Sequence, residues 1–293
     1  MNIQTISIVV PTHGCINACK ACVSRMHDDS SYKFSVDKAA MERRFKWAVM
    51  NGVNTCILTG TGEALQNKHF LTTLAEVFEK MNGPFPNVEL QTTGVMLNIE
   101  NIQLLQRLGV STISLSVWDI FDDNRNMEII DVNPKLRFSL IDCINTIKRY
   151  DFNVRLSLNM TKTYEDVGPK QLLAICKRLG VDQVTFRKLY HNGDVSLPQT
   201  MWVKENACST LTLNRIKQYI QGVVFKDIVE APGAGTHLYD LPFGGKVYSV
   251  EGMSTVMDDD CMSKDTTKAL KYVILRENGK LYSQWDDKGS LIF

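Results

Sequence analysis

His13-Gly14-Cys15-Ile16-Asn17-Ala18-Cys19-Lys20-Ala21-Cys22 is the stretch on which the reading of this chain turns. Its three cysteines have the spacing C-x3-C-x2-C and follow a β-type run, Ile6-Ser7-Ile8-Val9-Val10, in a loop opened by Pro11 and Gly14. Soft thiolates this close together can wrap one face of an iron–sulfur cluster. Three of them cannot supply four protein ligands. A [4Fe–4S] cluster held here would keep one iron open, and an open coordination position is where metal chemistry happens. The same residues admit two plainer readings. They could be part of a zinc site completed by His13 or His27, or buried thiols acting as small hydrophobes.

Outward from the loop, helix and strand signals alternate. Ser35 reads as the N-cap of a helix over about 36–50, with Met41, Phe45, Ala48 and Val49 on one stripe and Gly52 as its stop. The run Thr55-Cys56-Ile57-Leu58 leads into Thr59-Gly60-Thr61-Gly62-Glu63, and Asn67 caps a helix that buries Phe70, Leu71, Leu74, Val77, Phe78 and Met81. Strands are expected at Val88–Thr92, Thr112–Val117, Val154–Asn159 and Gln183–Arg187. Between them come helices near 99–108, from Asn133-Pro134 (carrying Leu136, Leu140, Ile144 and Ile147) and from Pro169 to Gly180. This alternation predicts a parallel sheet with helices outside. Spacing alone does not separate an open doubly wound sheet from a barrel. Either way, ligands belong at the strand C-termini, where the polar motifs fall.

Beyond about residue 191 the alternation stops. A stretch with Pro198, Trp202 and Asn206 precedes a helix near 209–221, and Gly-rich turns follow at 231–235 and 243–245. Tyr272–Arg276 and Lys280–Trp285, joined by Asn278-Gly279, read as a hairpin. The domain expectation is a core over 1–190 and a C-terminal extension over 191–293 that covers the substrate.

Composition sets the outer bounds. The 293 residues can bury a large core, and with 33 basic against 32 acidic residues the net charge of +1 offers no bulk field for nucleic acid. No apolar run reaches transmembrane length, and the N-terminus lacks the features of a signal peptide. Eight cysteines, three in one loop and five scattered, suit a reducing cytoplasm better than a disulfide framework. Cys56, Cys143 and Cys176 sit in apolar patterns and read as core. Cys208 and Cys261 are too few for a further cluster, and Asp258-Asp259-Asp260 reads as a solvated turn.

The cysteine loop resembles the signature of the radical SAM (S-adenosylmethionine) enzymes, which lies at this place after the first strand. The resemblance implies a partial (β/α)6 TIM-type barrel, open on one side, with a C-terminal extension that here contains a small β unit. It implies a [4Fe–4S] cluster on Cys15, Cys19 and Cys22 with SAM on the open iron. One electron then cleaves SAM to methionine and a 5′-deoxyadenosyl radical, which abstracts hydrogen from a substrate. Thr61-Gly62-Glu63 resembles the family's Gly-Gly-Glu motif, so Gly62 and Glu63 are expected to contact the SAM amino group. Ser116, Ser157 and Asn159 are candidate contacts to ribose and carboxylate. Arg187, like Arg155, is a candidate for gripping a carboxylate or phosphate. One departure is Ala21, where many members carry an aromatic residue beside the adenine. The layout is similar to the molybdenum-cofactor-synthesis and viperin-like branch, which points to a small-molecule substrate of nucleotide class. The resemblance also implies an electron donor such as flavodoxin or ferredoxin. The rival reading is a non-catalytic zinc or iron–sulfur module that binds metal or passes electrons.

Overall fold

The run that precedes the cysteine loop is β1 (Thr5–Val10), and five more parallel strands follow it: β2 (Thr55–Gly60), β3 (Asn87–Thr92), β4 (Thr112–Val117), β5 (Asn153–Asn159) and β6 (Gln183–Arg187). This is a computed structural model that describes residues 3–27, 35–222, 235–241, 245–259, 270–285 and 287–293. Helices cross between the strands: α1 (Lys38–Met50), α2 (Lys68–Lys80), α3 (Ile99–Arg107), α4 (Asp123–Ile130), α5 (Leu140–Arg149) and α6 (Pro169–Arg178). Beyond the core come α7 (Pro198–Asn206), α8 (Thr210–Gln221), β7 (Thr236–Asp240), β8 (Lys246–Val250), β9 (Met253–Asp258), β10 (Tyr272–Leu275) and β11 (Leu281–Tyr282). The sheet order is β11-β10-β1-β2-β3-β4-β5-β6-β9-β8-β7. The late strands therefore extend both edges of the six-stranded core. β10 and β9 join it in parallel, β11 and β8 antiparallel. The sheet does not close, since β11 and β7 are its two ends.

Side chains alternate along each strand, and here the two faces meet different surroundings. Ile6, Ile8, Leu58, Leu90, Ile113, Leu156 and Phe186 lie on the outer face and are fully buried in the main core. Burying each such side chain contributes about 1.5–3 kcal/mol. The inner face is polar. The register aligns Gln91 with Ser114 and Ser114 with Arg155, then Ser116 with Ser157 and Ser157 with Thr185. At the top Asn159 aligns with Arg187, and Arg187 with Asp258. On β2, β6 and β9 the inward positions stay partly exposed while their outward neighbours are buried, as expected for strands lining a solvent-reached lumen.

Several local features differ from expectation. α1 is capped by Asp37, whose Oδ1 accepts from the Ala40 N–H at 3.0 Å, instead of by Ser35. Asn133 and Pro134 start only a single 3-10 turn, Pro134–Leu136. Arg137 then leaves in extended geometry, and α5 begins at Leu140 after Ser139, so Leu136 stays partly exposed instead of joining the buried stripe. α4 has no counterpart in the sequence reading, because its first turn is polar. Asp122 caps it by accepting from the Asn124 N–H at 2.8 Å, and the buried face begins only at Asn126. The stretch around Trp202 is helical, as α7. The hairpin forms with Ile274 opposite Tyr282 and Gly279 at φ 73°, and its first strand also pairs with β1. Residues 231–234, 243–244, Asp260 and Cys261 lie outside the described residues.

Candidate active site

The cysteine loop leaves the C-terminal end of β1 and is fastened on two sides. On one, Asn67 Nδ2 donates to the Pro11 carbonyl at 2.6 Å and the Ile16 N–H donates to Gln66 Oε1 at 2.7 Å. On the other, the N–H groups of Ala18 and Lys20 donate to the carbonyls of Ile130 and Ile129, at 3.2 and 3.0 Å. These are C-terminal carbonyls of α4, which lack intrahelical donors. Ala21 is buried with Met26, Trp118, Met127, Ile130, Leu189 and Val203, and Cys19 packs against the same cluster.

All three thiols are partly buried. Burial raises the Cys15 pKa, against N–H groups of Asn17 and Glu63 that favour its thiolate. Burial pushes Cys19 up to about 12, reinforced by the neighbouring Cys22 and Cys15. Such thiols give up their protons to a metal, not to water. Among the described residues no three His, Cys, Asp or Glu side chains converge to hold a single metal ion.

Glu63 follows the end of β2 and is 4% exposed. Its Oε1 accepts from Thr92 Oγ1 at 2.6 Å and the Leu65 N–H at 3.5 Å. Its Oε2 accepts from the Thr93 N–H at 3.0 Å and Thr93 Oγ1 at 2.8 Å. The neighbouring Gly62 is required by close packing. A Cβ there would lie 2.4 Å from Thr12 Oγ1 and 2.6 Å from the Gly14 carbonyl oxygen.

Farther along the rim, Ser116 stands beside Ser157, and Asn159 beside Arg187. Arg187 Nε lies 3.4 Å from Asp258 Oδ2, a carboxylate supplied by β9. Arg155, the other candidate for gripping a carboxylate or phosphate, does not reach the rim. It is the third residue of β5, lower in the lumen, where it is ion-paired with Glu89 and donates to Gln183 Oε1 at 2.8 Å. Cys56, Cys143 and Cys176 are buried in the main core, and the Cys208 thiol donates to the Thr161 carbonyl at 2.8 Å. His27 stacks on Tyr190 at 5.7 Å. Trp285 packs with Val9, Tyr272 and Ile274. Thr92, Thr93 and Asn17 join the site without having been singled out as site residues; Thr92 and Thr93 share the signal of a polar residue at or just past a strand's C-terminal end, and Asp258, read as part of a solvated acidic turn, instead ends β9.

Among the described residues, several buried polar atoms here have no hydrogen-bond partner: Thr12 Oγ1, Asn17 Oδ1 and Ser157 Oγ. Buried polar groups are normally paired, so the rim offers unused capacity for a polar group. Together with three thiols in one loop, this donor set fits an iron–sulfur cluster with a polar co-ligand.

A family model described as the Radical SAM superfamily matches residues 9–169, more than half of the chain. The chain belongs to the radical SAM superfamily. Solved radical SAM structures share its fold. SuiB of Streptococcus suis bound to S-adenosylmethionine has a TM-score of 0.62 at 13% identity, covering 96% of this chain and 60% of that one. SuiB bound to the precursor peptide SuiA gives 0.61 at 14%, covering 96% and 59%. For anSMEcpe with bound AdoMet and the Kp18Cys peptide the TM-score is 0.53 at 14%, covering 75% and 59%. The chain thus spans about 60% of the length of SuiB. No curated protein matches the sequence. Radical SAM enzymes work with a [4Fe–4S] cluster and SAM. Among the described residues no helix of this member is long and apolar enough to cross a membrane.

Proposed function

We propose that Cys15, Cys19 and Cys22 hold the cluster, that SAM lies along the rim, and that a hydrogen atom is taken from a substrate in the lumen. The observation that carries this reading is the three-thiol loop at the C-terminal end of β1, beside a rim whose buried polar atoms want partners. When bound and reduced, the cluster supplies the electron that splits SAM into methionine and the hydrogen-abstracting 5′-deoxyadenosyl radical. The chain's own residues orient and shield. Gly62 lets the β2 turn approach the cysteine loop, and Glu63 would meet the SAM ammonium by exchanging one of the donors that its oxygens already hold. Ser116, Ser157 and Asn159 offer hydroxyl and amide contacts to ribose and carboxylate, and Arg187 offers a cation.

The division into a core over 1–190 and an extension over 191–293 is part of the same proposal. It is supported by α7, whose Val203 and Trp202 pack into the cluster of residues around Cys19 and Ala21, and by β9, which brings Asp258 to the lumen. Covering the site excludes water during the radical step. An electron donor of flavodoxin or ferredoxin type and a reducing cytoplasm complete the reading; the seven described cysteines are all free thiols.

The layout of the core favours a nucleotide substrate. A specific observation favours a second reading, a peptide. Two arginines of the core strands, Arg155 and Arg187, already stand beside carboxylates, Glu89 and Asp258. A phosphate would have to displace one of them, whereas amides need only the neutral donors and acceptors of Gln91, Ser114, Ser157, Thr185 and Gln183. Two of the solved neighbours were captured with peptides. Incubating the reduced, SAM-loaded enzyme with nucleotide and peptide pools and reading substrate-dependent 5′-deoxyadenosine separates the two. Stimulation by nucleotides alone would remove the peptide reading.

A further inference from the structure

Two consecutive residues between the first two cysteines, Ile16 and Asn17, are both tethered, and both tethers lead to one carboxylate. Asn17 is 2% exposed, and its Nδ2 donates to Thr93 Oγ1 at 2.9 Å. That hydroxyl donates in turn to Glu63 Oε2 at 2.8 Å. On the other path, Glu63 caps the 3-10 turn Ala64–Gln66, which presents Gln66 Oε1 to the Ile16 N–H at 2.7 Å. Glu63 also accepts from Thr92 Oγ1, so the ends of β2 and β3 are clamped to each other before either reaches the loop.

We propose that Glu63 is a positioning residue for the cluster loop, acting through Thr93 on Asn17 and through the Ala64–Gln66 turn on Ile16. Both oxygens of the carboxylate are engaged by this clamp, each with two donors. The carboxylate's bonds in this network are all made, and removing one donor leaves a buried partner unsatisfied, which loosens the geometry it held. Thr93 is the informative member, because it links the carboxylate to the loop and carries no expected contact to SAM. The inference rests on the cluster assignment and goes beyond it. It makes cluster retention depend on a hydroxyl that ligates nothing.

The test uses the full chain, loaded anaerobically with iron and sulfide. Iron loss to a chelator and the electron paramagnetic resonance linewidth of the dithionite-reduced cluster are then followed. Thr93→Val keeps the branched shape and removes the hydroxyl, and is expected to lose iron roughly tenfold faster with a broadened signal. Thr93→Ser restores the hydroxyl without the methyl and is expected to behave as wild type. Asn17→Ala, which cuts the next link, should reproduce the Thr93→Val behaviour. Thr73→Val removes a buried hydroxyl of α2 that bonds only the His69 carbonyl, and should lower stability without touching iron release. Wild-type release rates in both Thr93→Val and Asn17→Ala, or a serine variant no better than the valine one, would overturn the proposal. A wild-type protein that takes up no iron would overturn the cluster assignment itself, a distinct result.

Discussion

At Gly62 the fold leaves no room for a side chain. Gly62→Ala would drive its methyl onto Thr12 and the Gly14 carbonyl, so the cysteine loop must move. A stability loss of about 1–3 kcal/mol is expected, together with a clear fall in iron per chain, both read on the purified variant. The metal-free protein should also weaken in alkali. Burial pushes the Cys143 and Cys176 thiols up to about 12 from an ordinary 9.0. In the unfolded chain they ionise near 9, so their stabilising effect is complete below that pH and is lost as pH rises toward 12. Urea midpoints at pH 7.5 and 10 should therefore separate in wild type and separate less in Cys176→Ala. Cys15, Cys19 and Cys22 stand out in the sequence because the C-x3-C-x2-C motif is one residue type at short spacing. The partners of Glu63 were not. Thr93 stands 30 positions from Glu63 and 76 from Asn17, and only the parallel pairing of β2 with β3 brings them together.

Among the elements, β10 carries more of the fold than its four residues suggest. Val273, Ile274 and Leu275 are at most 1% exposed, and the strand pairs with β1 on one side and β11 on the other. Truncation after Lys271 would strip β1 of one neighbour and uncover the main core. The shortened chain is expected to be insoluble or to lose cooperative unfolding, measured by recovery and a thermal melt; a soluble, cooperatively folding product would show that the core closes without this strand. The hairpin was readable from Asn278-Gly279 between apolar runs, since that pair supports the turn. Its docking on β1 was not, because a parallel pairing across most of the chain leaves no local mark. Nor was α4, whose apolar residues crowd its last turn and show no helical stripe. β2, β3, β4 and β6 were legible because each follows a glycine helix stop, Gly52, Gly83, Gly109 or Gly180, with a short β-type run.

Over the whole molecule, one sheet separates an apolar outer face, packed under helices, from a polar inner face that surrounds a lumen. The barrel stays open because β11 and β7 end the sheet without meeting. The lumen, the thiol loop and the unpartnered rim atoms all lie toward the C-terminal ends of the parallel strands, where reductive cleavage of SAM is proposed to occur. Replacing Cys15, Cys19 or Cys22 with Ala should remove the cluster absorption, whereas Cys56→Ala, a change in the core, should leave iron content near wild type. The most direct measurement is product formation. Anaerobically reconstituted protein, reduced with dithionite and given SAM, is expected to be brown and to release methionine and 5′-deoxyadenosine in equal amounts, slowly without substrate. A protein that holds its cluster yet leaves SAM intact, or one that purifies colourless with zinc, would contradict the account.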